Sequence, residues 1–581
     1  MRIRIVSGIT IALALAISNA PSQAATSPLL EISTDRSAYS PSQQVSFTAK
    51  TRAVKGLKLS VTYFSLSNPI KAQSITADQD GSTTWTWSPP TTNYRGYLVR
   101  VILKQGSKEL ITRTIGVDVS SDWGMFPRYG FLSKFSTQNY NTQYSVIEKL
   151  TRFHINGLQF YDWQDRHDSP LTIVEGAPLA QWNDIANRTT YLATVGNYIT
   201  LAHSRGMKAM NYNLIMGAYN DYIDSGISPE WGVYTDTNHT TQDGYELPED
   251  WESGLKLFNP ANANWQAYII AKQSQVYTYL SFDGWHVDQL GNRDVFDYNG
   301  NRVDLAAGYA SLLNYAKNTM PGEFVMNAVD NYAQQEILGT NSTKFAYAEL
   351  WNGNESFASI QQTIESNWAS SARRPNTVLA AYINRSMSSD PGGFNAPGVL
   401  MADAAIFAAG GAHIELGEHI LSNEYFPNSN LHASSSLMTT LTGYYDFAVA
   451  YENLLRGKVR PYSLNVAIRS HDVSRDDAAA AGTIWSFARR TSDSKIRILH
   501  LLNLENSNSD LWRDDYADMP PPKLLKNLSV RFKQTTKVKK IWTASPDING
   551  GTPQSLKFTQ KNGYVTVTLP NLKYWGMLVI Q

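Results

Sequence analysis

Cysteine is missing from all 581 positions of the chain. That absence excludes thiolate nucleophiles, zinc–thiolate sites and iron–sulfur clusters. It also leaves stability to buried apolar surface, of which a chain this long has enough for roughly two to four ordinary cores. Net charge is missing as well. Fifty basic residues balance fifty acidic ones, so no overall field recruits nucleic acid or a membrane surface. Long hydrophobic runs are confined to one, Ile9 to Ile17, which is shorter than the ~20 residues a bilayer crossing takes. No glycine-rich phosphate fingerprint follows an early strand, which argues against a dinucleotide-binding open sheet. Internal repeats and low-complexity tracts are absent too.

What is present begins with Met1-Arg2-Ile3-Arg4, the apolar run, and the small residues around Ser22-Gln23-Ala24-Ala25. A charged start, a greasy core and a small-residue cleavage site form the pattern of a secretory signal peptide, here over residues 1–25. The mature protein is therefore expected to be secreted, extracellular, soluble and monomeric. Aromatic residues are abundant, with 15 Trp and 32 Tyr. Many of these are core, yet exposed rings are also surfaces on which the apolar C–H faces of sugars stack.

Three rhythms divide the rest. Residues 26–121 alternate apolar with polar in short runs, such as Gln44–Ala49, Leu57–Tyr63, Thr83–Trp87, Tyr97–Leu103 and Thr112–Val119, separated by turn clusters. This spacing predicts a small β-sandwich of immunoglobulin type. Residues 122–456 alternate apolar runs with helical stretches, for example Thr190–Arg205 and Asn264–Leu280. Eight runs read as strands: Tyr129–Phe135, Ile155–Trp163, Lys208–Met216, Gly284–Gly291, Phe324–Asp330, Phe345–Trp351, Val378–Ile383 and Ala412–Glu418. Eight β/α units of this length predict a (β/α)8 TIM barrel with insertions. Residues 457–581 return to alternation and predict a C-terminal β-sandwich, so the fold class is a multidomain α/β plus all-β chain.

A barrel of this type carries its chemistry at the C-terminal strand ends. Polar residues and aromatics gather there: Tyr161, Asp162 and Trp163 after strand two, Asn213 on strand three, His286 and Asp288 on strand four, and Asn327 on strand five. Glu349 and Trp351 end strand six, Tyr382 ends strand seven, and Glu418 and Tyr425 follow strand eight. Glycoside cleavage needs two carboxyl groups, one as nucleophile or base and one as proton donor. Asp288 and Glu349 are the expected pair. By the two-residue period of a strand, His286 shares a face with Asp288, and Tyr347 and Trp351 share one with Glu349. Asp283, at the start of strand four, is expected in turn chemistry at the barrel bottom. Tyr161, Asp162, Trp163, Asn213, His286, Asn327, Trp351, Tyr382, Glu418 and Tyr425 are the expected substrate-binding residues.

The chain resembles family 66 of the glycoside hydrolases, which holds bacterial dextranases and cycloisomaltooligosaccharide glucanotransferases. The likeness is carried, in order, by Arg128–Phe135, by Phe282–Gly291 with Trp285-His286-Val287-Asp288-Gln289-Leu290-Gly291, by Tyr347-Ala348-Glu349-Leu350-Trp351, and by Gly417–Asn428. The resemblance implies a retaining double displacement on α-1,6-linked glucan, with Asp288 as nucleophile and Glu349 as acid/base, and with no metal or organic cofactor. Its partner would be dextran or a related α-glucan. Cyclising members carry an added carbohydrate-binding module late in the barrel, for which the stretch from Glu349 to Tyr444 leaves no room. An endo-acting dextranase is thus the first expectation, a cyclising transferase the second, and a non-catalytic glucan-binding protein a third.

Overall fold

A computed structural model describes residues 29–581 apart from 352, 373 and 374. The expected signal peptide lies outside the described residues. The first body consists of two antiparallel sheets. One joins Leu30–Thr34, Val45–Thr51 and Ser82–Trp87, and the other joins Asn68–Thr76, Leu57–Ser65, Arg95–Gln105 and Lys108–Val119. Alternation drives their pairing: Val45, Phe47 and Ala49 of the first sheet meet Leu59, Val61 and Tyr63 of the second in one apolar cluster. The strand Asn68–Thr76 has no sequence signal because almost every side chain on it is exposed. It lies at a sheet edge, where Pro69 is tolerated.

Eight parallel strands follow, each hydrogen-bonded to its neighbours in chain order: Tyr129–Leu132, Gly157–Phe160, Lys208–Leu214, Gly284–Asp288, Glu323–Val329, Ala346–Glu349, Thr377–Ala380 and Ala412–His413. Phe131 N donates to Leu416 O (3.0 Å) just past strand eight, which nearly closes the sheet into a barrel. A helix follows every strand: Tyr140–Arg152, Leu192–Ser204, Ala263–Tyr279, Leu305–Thr319, Gln334–Gly339, Phe357–Ala369, Ala396–Ala408 and Ser435–Ala450. Side-chain caps start several of them; Asn139, Asn262, Asp304, Ser356 and Ser434 each accept a backbone N–H of the first turn. All eight strand expectations overlap an observed strand. They overrun by up to five residues because the sequence reads the polar rim as a continuation of the strand.

Beyond the barrel, a seven-stranded sheet containing Ile484–Thr491, Arg497–Asn503 and Trp575–Ile580 faces a four-stranded sheet containing Leu525–Lys533 and Tyr564–Leu572. They share one apolar cluster.

The first body meets the barrel base through a buried ionic seam. Arg128, just ahead of strand one, donates to Asp118 Oδ2 (2.8 Å) of the N-terminal sheet and lies 3.6 Å from Glu452 after the last barrel helix. Gly96 and Gly116 sit directly on that helix. A Cβ on Gly96 would stand 2.1 Å from Val449 O, so only glycine permits the approach. No helix among the described residues is long and apolar enough to cross a membrane.

Candidate active site

Strand alternation decides what faces the barrel interior. On strand four Trp285 and Val287 pack outward into the helical layer, while His286 and Asp288 turn into the cleft. Strand six sends Ala348 outward and Tyr347 and Glu349 inward. Strand five lies between them and presents Asn327 to both. Its side-chain amide donates to Asp288 Oδ1 (2.9 Å) and to Glu349 Oε2 (3.1 Å). One nitrogen reaching both carboxyls places those two oxygens within about 6 Å of each other. Tyr212 OH donates to Asp288 Oδ2 (2.7 Å), and Gln289 N donates to Oδ1 (2.9 Å). Tyr382 OH donates to Glu349 Oε1 (2.6 Å).

The two carboxyls are chemically unequal. Burial raises Asp288, but Tyr212, Asn327 and the Gln289 amide pull it back by donating to the ionised form. Glu349 is pushed up to about 7, first by burial and then by the charge on Asp288, against donation from Tyr382 and Asn327. Glu349 is thus poised to carry a proton near neutrality, while the three donors on Asp288 favour its ionised form, a difference suited to a nucleophile beside an acid. Asp162, also in the cleft, is pushed up to about 6 by burial, with Arg188 opposing. Burial lowers His286 to about 3, so its ring is neutral; it stacks on Tyr129 and meets Tyr347 edge-on.

The cleft encloses about 500 Å³. Of the twelve expected residues, Asp288, Glu349, Tyr161, Asp162, His286, Asn327, Trp351 and Tyr382 line it. Four do not. Trp163 is fully buried; its Nε1 donates to Asn211 Oδ1 (3.0 Å) and its ring packs on Trp182 and Phe282, because strand two ends at Phe160 and the left-handed Asp162 (φ 48°) turns the chain into the helical layer. Asn213 is on the outward face of strand three and is occupied with His167. Glu418 is half-buried, accepting from Ser133 N (3.0 Å) and Lys134 N (3.1 Å), and so ties the loop after strand eight to that after strand one. Tyr425 stands on the rim, its ring 5.5 Å from that of Trp251 and under the Arg188 guanidinium.

Sequence reasoning missed Tyr212, His167, Tyr245 and Trp251, all in the lining. Tyr212 was within reach, since the alternation that removes Asn213 selects its neighbour. Tyr245 and Trp251 belong to the long insertion after strand three, which has no period to read. Asp283 lies at the barrel bottom as expected, but in place of turn chemistry it ties strand four to its neighbours, accepting from Lys208 Nζ (2.7 Å) and Ala209 N (2.8 Å) and pairing with His203.

Behind strand eight, Asp403, His413 and Glu415 bring their ligating atoms within 4.8 Å of one another, the cluster among the described residues with metal-ligand potential. Most of its polar atoms are bonded within the protein. His413 bridges Ala381 O and Asp403 Oδ1, both at 2.8 Å, and Tyr445 OH donates to Glu415 (3.0 Å). Burial pushes Asp403 up to about 8 and raises Glu415 as well. Asp403 Oδ2 and Glu415 Oε2 are buried without a hydrogen-bond partner among the described residues, and the raised carboxyls favour the protonated form.

A family model described as glycosyl hydrolase family 66 matches residues 34–579. A cycloisomaltooligosaccharide glucanotransferase of Niallia circulans is 28% identical, over 94% of this chain and 71% of its own length. A dextranase of Streptococcus salivarius is 25% identical, over 84% of this chain and 68% of its own. A crystal structure of a Paenibacillus cycloisomaltooligosaccharide glucanotransferase complexed with cycloisomaltoheptaose superposes with a TM-score of 0.87 at 26% identity, covering 95% of this chain and 99% of that one.

Proposed function

Because the chain belongs to glycosyl hydrolase family 66, we propose that it is a retaining, endo-acting hydrolase of internal α-1,6-glucosidic bonds in dextran, releasing isomaltooligosaccharides. The observation that carries this reading is the Asn327 bridge between Asp288 and Glu349. Retaining enzymes hold their carboxyls ~5–5.5 Å apart, whereas inverting ones leave ~6.5–9.5 Å for a water. A shared donor favours the closer arrangement.

In this mechanism Asp288 attacks the anomeric carbon while Glu349 donates its proton to the departing oxygen. Glu349 is left ionised by that donation, and esterification of Asp288 removes the charge that would favour its reprotonation, so the glutamate can take a proton from water as it attacks the glucosyl ester and frees Asp288. Substrate grip falls to Asp162, His286 and the rings of Tyr161, Trp351 and Tyr382 around the cleft. The reading includes export, on the charged and apolar opening of the chain, and a division near residues 121 and 456 into a β-sandwich of immunoglobulin type, a barrel and a second β-sandwich.

Cyclising transfer is the second reading, favoured by the names of the Niallia and Paenibacillus relatives. The same glucosyl ester would then be intercepted by a sugar hydroxyl. The Niallia alignment runs over 706 positions for 94% of this chain, so that relative carries inserted residues this chain does not, and hydrolysis is preferred. The test is digestion of dextran, following viscosity, reducing ends and the anomer of early products together. Rapid viscosity loss with α-anomeric linear oligosaccharides is expected. Cyclic products without new reducing ends would select transfer, and an initial β-anomer would overturn the retaining mechanism.

A further inference from the structure

The C-terminal body sends a long connection back onto the barrel mouth. Between its strands Arg497–Asn503 and Leu525–Lys533, residues 504–524 run without helix or strand, yet their middle is pinned down at many points. Trp512 is fully buried and donates through Nε1 to Asn354 O (2.6 Å). Arg513 Nη2 donates to Leu350 O (3.0 Å). Asn384 donates its backbone N–H to Arg513 O (2.8 Å) and its amide to Asp514 O (2.6 Å). Ser386 N donates to Asp515 Oδ1 (3.2 Å). These partners all lie in the loops after strands six and seven, and Glu349 ends strand six.

The connection also frames one ring of the cleft. Trp351, two residues past Glu349, lines the catalytic cavity. Its ring lies 5.8 Å from the guanidinium of Arg513 and 4.8 Å from that of Arg385, one from each body. Two large side chains on these same loops are left exposed. Tyr516 is 84% exposed and Met387 45%, both beside the anchored pair Asp515 and Ser386. A tyrosine left almost bare on so firmly anchored a backbone covers nothing of the protein's own.

We propose that this segment forms the outer wall of a further glucan-binding subsite, with Tyr516 as its platform, next outward from the sugar that Trp351 meets in the cleft. Its ligand is the glucosyl residue next out along the chain from the one that Trp351, hydrogen-bonded to Glu349, meets beside the bond being cut. The sugar's C–H face lies on the Tyr516 ring, and its hydroxyls meet Arg513, Arg385 and Asp515. The assignment rests on the glucan-cleaving reading above and adds the C-terminal body to the substrate path, continuous with the cleft through Trp351.

The experiment compares long dextran with a short isomaltooligosaccharide as substrates for the wild type, Tyr516→Ala and Tyr516→Phe. The long-to-short ratio of kcat/KM should fall about fivefold to twentyfold in Tyr516→Ala, the share expected for part of one ring's buried area. Tyr516→Phe keeps the ring and should hold the ratio within about twofold of wild type. A wild-type ratio in Tyr516→Ala, or an equal fall in both variants, would overturn the subsite while leaving the glucan-cleaving reading intact. A wild type that neither cleaves dextran nor is retarded by it in an affinity gel would overturn both.

Discussion

Removing a single hydroxyl, in Tyr382→Phe, tests the electrostatics of the cleft without opening a void. Tyr382 is buried and its OH donates to Glu349 Oε1 at 2.6 Å. That donation favours the ionised glutamate and is the first of the influences opposing burial and the Asp288 charge, which together hold Glu349 at about 7. A hydrogen bond to a charged group contributes ~1.5–3 kcal/mol, and one pH unit corresponds to ~1.4 kcal/mol. Losing the hydroxyl should therefore raise Glu349 by roughly one to two units. The sign follows from the role. Glu349 must be protonated in the free enzyme to act as acid, so activity is lost as pH rises through its pKa. Raising that pKa shifts the alkaline limb of kcat/KM from about 7 to roughly 8–9. The acid limb belongs to Asp288, whose donors are Tyr212, Asn327 and the Gln289 amide, and it should stay in place. The assay is kcat/KM for reducing-end release from dextran at low substrate across the stable pH range, with circular dichroism as the folding control. An alkaline limb that stays put, or moves toward acid, would refute the assignment of that limb to Glu349.

Asp288→Asn and Glu349→Gln should each lower kcat on dextran by several orders of magnitude with the fold retained; a folded variant keeping more than about a tenth of wild-type activity would sink the role assigned to it. Asn327→Ala removes a donor from both carboxyls and should cost roughly ten- to hundredfold in kcat, with acid and alkaline limbs both displaced upward. Asp118→Ala, far from the cleft, leaves Arg128 short of its closest charged partner in a dry seam and should cost ~3–5 kcal/mol; calorimetry should show a lowered midpoint, and an unchanged one would mean that the seam contributes little.

The barrel was legible because its signal is repeated eight times and because burial on both faces leaves each strand a short apolar run. The carboxyl pair was legible for a different reason. Asp288 and Glu349 interrupt apolar strands at their C-terminal ends, where a polar residue has no packing role. Legibility failed wherever facing had to be decided within one residue. Asn213 lies at a strand end like the true lining residues but on the opposite side of the pleat, and Trp163 shares the parity of Tyr161 but follows a left-handed Asp162 that turns it into the core. Trp251 and Tyr245 were invisible because an insertion of more than forty residues between Leu214 and Ala263 is placed by tertiary contacts, such as Trp251 against Tyr425, and not by any period. The bridging role of Asn327 could be guessed only as a polar strand end; that it serves two carboxyls at once depends on the register between three strands.

The ionic seam under the barrel bears on how freely such a chain can be rebuilt from parts. Asp118 comes from the first body, Arg128 from the link into strand one, and Glu452 from the stretch after the last barrel helix. Gly96 and Gly116 complete the fit by letting two strands of that body rest on the same helix. A barrel transplanted without its N-terminal sheets would carry Arg128 and Glu452 into the solvent-facing floor together with an apolar helix flank shaped for glycine. A foreign sheet domain would have to arrive with an acid at one position and bare backbone at two others. The N-terminal body is therefore the floor of the catalytic unit and not a passenger on it, and recombination between relatives should succeed where both are inherited as a block.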